Sequence, residues 1–175
     1  MLSLCTGVRT EEGRALRWEH VDLGDPDTVP PRPASVAVWR SVRASGDTKT
    51  RTSRRTLALP ELAVTALLAL HHHAAPGPGD LVFCTAAGQA LDAANVRRSF
   101  RAVCTAAGIG PDWTPRELRH TFVSLMSDSD VAVEEIARLV GHASSKVTET
   151  VYRHQLRPVL TTGAEKMGTL LKNTG

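Results

Sequence analysis

Between His20 and Pro60 the apolar residues of this chain stop recurring with helical spacing and begin to alternate. "HVDL" and "SVAVWRSV" place apolar side chains at every second position, as a strand with one buried face requires. "GDPDTVPPRP" lies between them, too rich in proline, glycine and aspartate to continue either. Ser45-Gly46-Asp47 marks a turn, and "RTLALP" is a further alternating run stopped at Pro60. Such an island fits a small antiparallel sheet of about three strands.

The remaining sequence has helical spacing, so the expected class is mainly α with a small antiparallel sheet. "LSLCTGVRTEEGRALRW" reads as the end of an apolar helix, a turn at Thr6-Gly7, and a helix opened by acids that carries Ala15, Leu16 and Trp18 on one face. A helix already ending there suggests a chain truncated at its N-terminus. "PELAVTALLALHHHAA" is a helix started by Pro60, and "LVFCTAAGQAL" is extended or looped. "DAANVRRSFRAVCTAAG" has Asp92 as N-cap and stops at Gly108. "TPRELRHTFVSLMSD" has Thr114 as cap, Pro115 at its first position and Glu117 where a capping box needs it. "VAVEEIARLVGH" ends at Gly141; "SSKVTETVYRHQL" and "GAEKMGTLL" read as further short helices. At 175 residues the chain suits one compact domain.

Charge is informative through its placement. Arg40, Arg43, Lys49, Arg51, Arg54 and Arg55 face one acid, Asp47, in a short stretch of a chain whose net charge is +3. The stretch reads either as a surface for a polyanion or as a solvated basic hairpin. Arginine, abundant here, forks onto phosphate where lysine acts as a point charge; a GC-rich genome gives the same bias. Cys5, Cys84 and Cys104 are odd in number and scattered, as packing thiols are. No apolar run approaches the ~18 residues needed to span a bilayer, and no leader opens the chain, so a cytoplasmic protein with no membrane partner is expected. His71, His72 and His73 point about 100° apart on a helix and cannot chelate one ion together.

Several polar residues stand where helix propensity does not explain them. Arg9 follows the Gly7 turn, Arg116 and Arg119 share a helix face with His120 beside them, and His142 follows Gly141. "KVTETVYRH" carries Tyr152, the only tyrosine in the chain. Taken singly, Arg9 could pair with Glu12, Arg116 and Arg119 could be solvated, and His142 could simply close a helix.

Taken together, the chain resembles the tyrosine recombinase (phage integrase) family. "TGVRTEEGRALRWEHVDL" is similar to the family's first arginine box, and "TKTRTSRRTLALP" to its lysine-bearing hairpin. "TPRELRHTFVSLM" is similar to its second box, and "LVGHASSKVTETVYRH" to the third box with the nucleophile. The resemblance implies the fold of that catalytic domain, with the family's N-terminal core-binding domain absent. It implies that Arg9, Lys49, Arg116, Arg119, His142 and Tyr152 are catalytic, that Glu12 and His120 support them, and that Arg40, Arg43, Arg51, Arg54 and Arg55 contact DNA. Arg116 stands where the family usually has histidine; it can bind a phosphate oxygen but cannot exchange a proton near neutral pH.

The implied activity is site-specific DNA strand cleavage and rejoining through a 3′-phosphotyrosine, on double-stranded DNA, with sister protomers in a tetramer. Such chemistry needs no metal and no nucleotide cofactor. Two other readings stay open: a non-catalytic DNA-binding remnant, and an interaction module docking through the amphipathic end at Leu170 and Leu171. The expected geometry has Arg9, Arg119 and His142 approaching one pocket, with Arg116 at its rim and Lys49 able to reach in.

Overall fold

The computed structural model describes residues 1–39, 54–73 and 80–142. In chain order these form α1 (Leu2–Thr6), α2 (Thr10–Arg14), a 3-10 turn (Trp18–His20), β1 (Val21–Asp22), β2 (Ser35–Val38), β3 (Arg55–Ala58), α3 (Glu61–His73), α4 (Ala93–Ala106), α5 (Pro115–Asp128) and α6 (Val133–Val140). The sheet is antiparallel in the order β1-β2-β3. The class expected from the alternating island is therefore observed. Among the described residues no helix is long and apolar enough to cross a membrane.

Register follows burial. Val36 and Val38 of β2 point inward, and Val36 pairs with the buried Leu57 of β3. A slip by one residue would turn that whole apolar set to solvent. The sheet's inner face meets Leu2, Val8, Leu16, Ala63, Leu67 and Val82 in one core cluster. Each valine or leucine among them, fully buried, contributes about 1.5–3 kcal/mol. Phe122, Val123, Ile136 and Val140 form a second cluster where α5 and α6 meet.

Local chemistry sets most helix ends. The Asp92 carboxylate accepts from the backbone N–H groups of Ala94 and Asn95 at the start of α4. Thr114 and Glu117 form the capping box of α5, with Pro115 at its first position. Gly141 stops α6 in the left-handed region at φ 66°. Gly7 stops α1 likewise at φ 65°, where a Cβ would lie 2.7 Å from Phe122 Cδ1 and 2.9 Å from Val140 Cγ1. Glycine is needed there both for the backbone and for space.

One boundary differs from the sequence expectation. The acid-opened helix stops at Arg14 and does not carry through Trp18. The backbone there pairs with a distant segment instead: Val82 N–H donates to the Leu16 carbonyl, and Trp18 N–H to that of Asp80. Leu16 is still buried, next to the antiparallel bridge between Arg17 and Leu81. The expected helices over "SSKVTETVYRHQL" and "GAEKMGTLL" lie outside the described residues.

Candidate functional site

The site is built around the carboxyl end of α6. The last carbonyls of a helix lack partners within it and carry the negative end of its dipole. Here three of them take three different arginines, each from another part of the chain. Arg55 Nε donates to Leu139 O at 2.7 Å, Arg119 Nη2 to Val140 O at 2.6 Å, and Arg9 Nη2 to Gly141 O at 3.3 Å.

Arg9 precedes the first turn of α2, where Glu12 reaches back to the Arg9 backbone N–H at 2.8 Å. Glu12 is buried and accepts three further hydrogen bonds: Arg9 Nη1 at 2.9 Å, Arg55 Nη1 at 3.1 Å and Arg55 Nη2 at 3.0 Å. Burial by itself would raise its carboxyl. The Arg55 hydrogen bonds and charge, and then those of Arg9, outweigh it and hold Glu12 below the usual carboxylate range.

Arg119 lies on the inward face of α5, only 9% exposed. Its Nη1 donates to Gly7 O and its Nη2 contacts His142 Nε2 at 3.0 Å. One guanidinium thus joins the ends of α1 and α6. Burial, and then the charge of Arg9, push its pKa down to about 9, which leaves it charged at neutral pH. His142 is half-buried, and its backbone N–H donates to Ala137 O at 2.9 Å. Burial, followed by the charges of Arg119, Arg9 and Arg55, pushes its imidazole down to about 4. The ring is therefore neutral at pH 7, and an unprotonated Nε2 accepts from Arg119.

Among the described residues the cluster holds three guanidiniums against one carboxylate, an excess of two positive charges in a partly dry setting. Arg9 has its side chain 31% exposed, against 8% for Arg55, so it faces solvent. Such an arrangement favours an anion at its open side.

The structure brings Arg9, Glu12, Arg119 and His142 together. Arg116 is exposed on the first turn of α5, and its charge bears on Arg119 and on His120, whose imidazole is pushed down by burial and then by Arg116. Arg54 is exposed. Arg55, grouped by sequence with the DNA-facing arginines, points the opposite way, into the protein and onto Glu12. The signal for this was the alternation itself, since Arg55, Leu57 and Leu59 share a strand face and both leucines are core. Lys49, Arg40, Arg43, Arg51 and Tyr152 lie outside the described residues. His71, from the histidine run, is exposed and sits edge-on to Trp18 at 4.6 Å.

The chain matches the Phage integrase family over residues 1–157. It is 56% identical to an integrase of Streptomyces ambofaciens over 186 residues, covering 98% of this chain and 47% of that protein. It is 28% identical to the tyrosine recombinase XerC of Yersinia pestis over 151 residues, covering 85% and 44%. The chain thus spans about half the length of the curated relatives it matches. The crystal structure of XerA recombinase superposes with a TM-score of 0.69 at 25% identity, covering 97% of this chain and 54% of that one. The Tn1549 transposon integrase, in complex with a circular intermediate DNA, has the same fold with a TM-score of 0.74 at 16% identity, covering 97% and 56%. A match along nearly the whole chain, and a relative this similar, show that it belongs to the phage integrase family of tyrosine recombinases.

Proposed function

We propose that the chain is the catalytic domain of a site-specific recombinase, which cuts and rejoins double-stranded DNA through a 3′-phosphotyrosine at Tyr152. The observation that carries this reading is the meeting of Arg9, Arg119 and His142 at the carboxyl end of α6, a short way before Tyr152 in the chain. Solved relatives include the XerH recombinase bound to its difH substrate and a lambda integrase dimer bound to a core site. By that likeness the substrate is DNA, and more than one protomer assembles on it.

A phosphodiester is an anion and repels nucleophiles. Arg9 and Arg119 exchange part of their carbonyl bonding for its non-bridging oxygens and neutralise the charge that grows in the transition state. His142, neutral in the free protein, gains a proton more easily once the phosphate's charge is beside it, and then donates a hydrogen bond. Arg116 adds positive charge at the rim without exchanging a proton. The Tyr152 hydroxyl, with a pKa near ~10 in water, loses its proton to solvent and attacks phosphorus. The bond to the 5′ oxygen breaks, and Lys49 supplies the proton that makes this oxygen a leaving group. The reverse step joins the 3′ end to a new 5′ hydroxyl.

The test uses a pool of nicked duplexes of randomised sequence, in which the cleaved fragment diffuses away and traps the intermediate. A denaturation-resistant protein–DNA adduct is expected. Tyr152→Phe should lose the adduct and keep the affinity for DNA, whereas Arg119→Ala should weaken both. DNA binding without any adduct would leave a DNA-binding protein that does not cleave; salt-insensitive or absent binding would remove DNA altogether.

A further inference from the structure

We propose that Arg55 is a positioning residue of this site: it fixes the Glu12 carboxylate, and through it Arg9, while tying β3 to the carboxyl end of α6. The inference rests on the phosphodiester-cleaving role given to the site above. Arg55 is not near enough to solvent to act on DNA itself, with its side chain 8% exposed. Its three described bonds engage all three nitrogens of the fork. Nη1 and Nη2 grip both oxygens of Glu12 at 3.1 and 3.0 Å, and Nε holds Leu139 O at 2.7 Å.

Two consequences follow from this geometry. The bidentate grip allows one orientation of the Glu12 carboxylate, and that carboxylate holds Arg9 at both its backbone N–H and its Nη1. Arg9 is thereby aimed before an anion arrives, so less ordering is left to be done at the moment of reaction. The bond to Leu139 O places the first residue of β3 one carbonyl away from the contact that Arg119 makes with Val140 O. The strand that follows the Lys49 segment in the chain is thus locked to the helix end that orients Arg119 and Arg9. Lysine at this position keeps a charge but offers no planar fork, and cannot satisfy Glu12 and Leu139 together.

The experiment measures single-turnover adduct formation on the nicked duplex pool over a range of DNA concentrations, for the parent, Arg55→Lys and Arg55→Gln. Thermal unfolding is followed in parallel to confirm that each variant is folded at the assay temperature. Arg55→Lys is expected to keep half-saturation within about threefold of the parent and to lose about 10- to 100-fold in the limiting rate, in the range seen for supporting partners of a reactive centre. Arg55→Gln should lose more, with the lysine variant standing between it and the parent. Adding Glu12→Gln to Arg55→Gln should then cost little further, because Arg55 acts through that carboxylate. A folded Arg55→Lys protein that forms adduct at the parental rate would overturn the proposal, as would a change confined to half-saturation. If Arg55→Gln does not fold, Arg55→Lys alone decides. Arg9→Ala and Tyr152→Phe serve as controls: if either retains full adduct formation, the reading of the site has failed, a result separate from the fate of Arg55.

Discussion

Glu12 carries the counter-charge of the cluster. It is the carboxylate shared by Arg9 and Arg55, and it is buried. Glu12→Gln leaves guanidiniums packed together without their counter-charge and is expected to destabilise the protein by about 3–5 kcal/mol, read from urea unfolding. Acid should act through the same residues. Glu12 has a lowered carboxyl in the folded state, so its contribution is present above the unfolded value and is lost as pH falls through the folded one. His142 has a folded value of about 4 against 6.5 unfolded; the unfolded chain binds more protons between these, and stability falls as pH drops through that window. Urea midpoints measured from pH 7 to pH 4 should therefore decline, and His142→Asn should flatten the upper part of the decline. Pairing of Arg9 with Glu12 was legible in the sequence because the two are neighbours along one short helix. The inward turn of Arg55 was not, because a run of basic residues suggested solvent while strand alternation pointed to the core. The alternation prevailed, since the buried Glu12 gives that guanidinium a partner.

Among the elements, α6 and α1 matter through their ends. Gly7 closes α1, and its carbonyl accepts from Arg119. Gly7→Ala forces a side chain into a left-handed backbone, costing about 1–2 kcal/mol. Its Cβ would also press on Phe122 and Val140, adding about 1–3 kcal/mol. A clear fall in the thermal midpoint is expected. Thr114→Ala removes only the cap of α5 and should cost about 0.5–2 kcal/mol in the same measurement. The starts of α4 and α5 could be read from Asp92 and from Thr114, Pro115 and Glu117, because capping chemistry is local. The stop of α2 at Arg14 could not, because the competing partners are backbone groups of Asp80 and Val82, far along the chain.

At the scale of the molecule, a modest net charge of +3 conceals a concentrated one: the guanidiniums that converge on the end of α6 come from distant boxes of the sequence. An anion bound there should stabilise the folded state by mass action. Millimolar sulfate is expected to raise the thermal midpoint of the parent and to have little effect on Arg119→Ala. DNA affinity should fall with salt, in proportion to the number of phosphates engaged. In the function we propose, this cluster presents a phosphodiester to Tyr152. The most direct measurement is digestion of the trapped protein–DNA adduct with protease and nuclease, followed by peptide mass spectrometry. The expected product is a nucleotide joined through its 3′ phosphate to the peptide that contains Tyr152. A nucleotide on any other residue, or one joined through a 5′ phosphate, would contradict it.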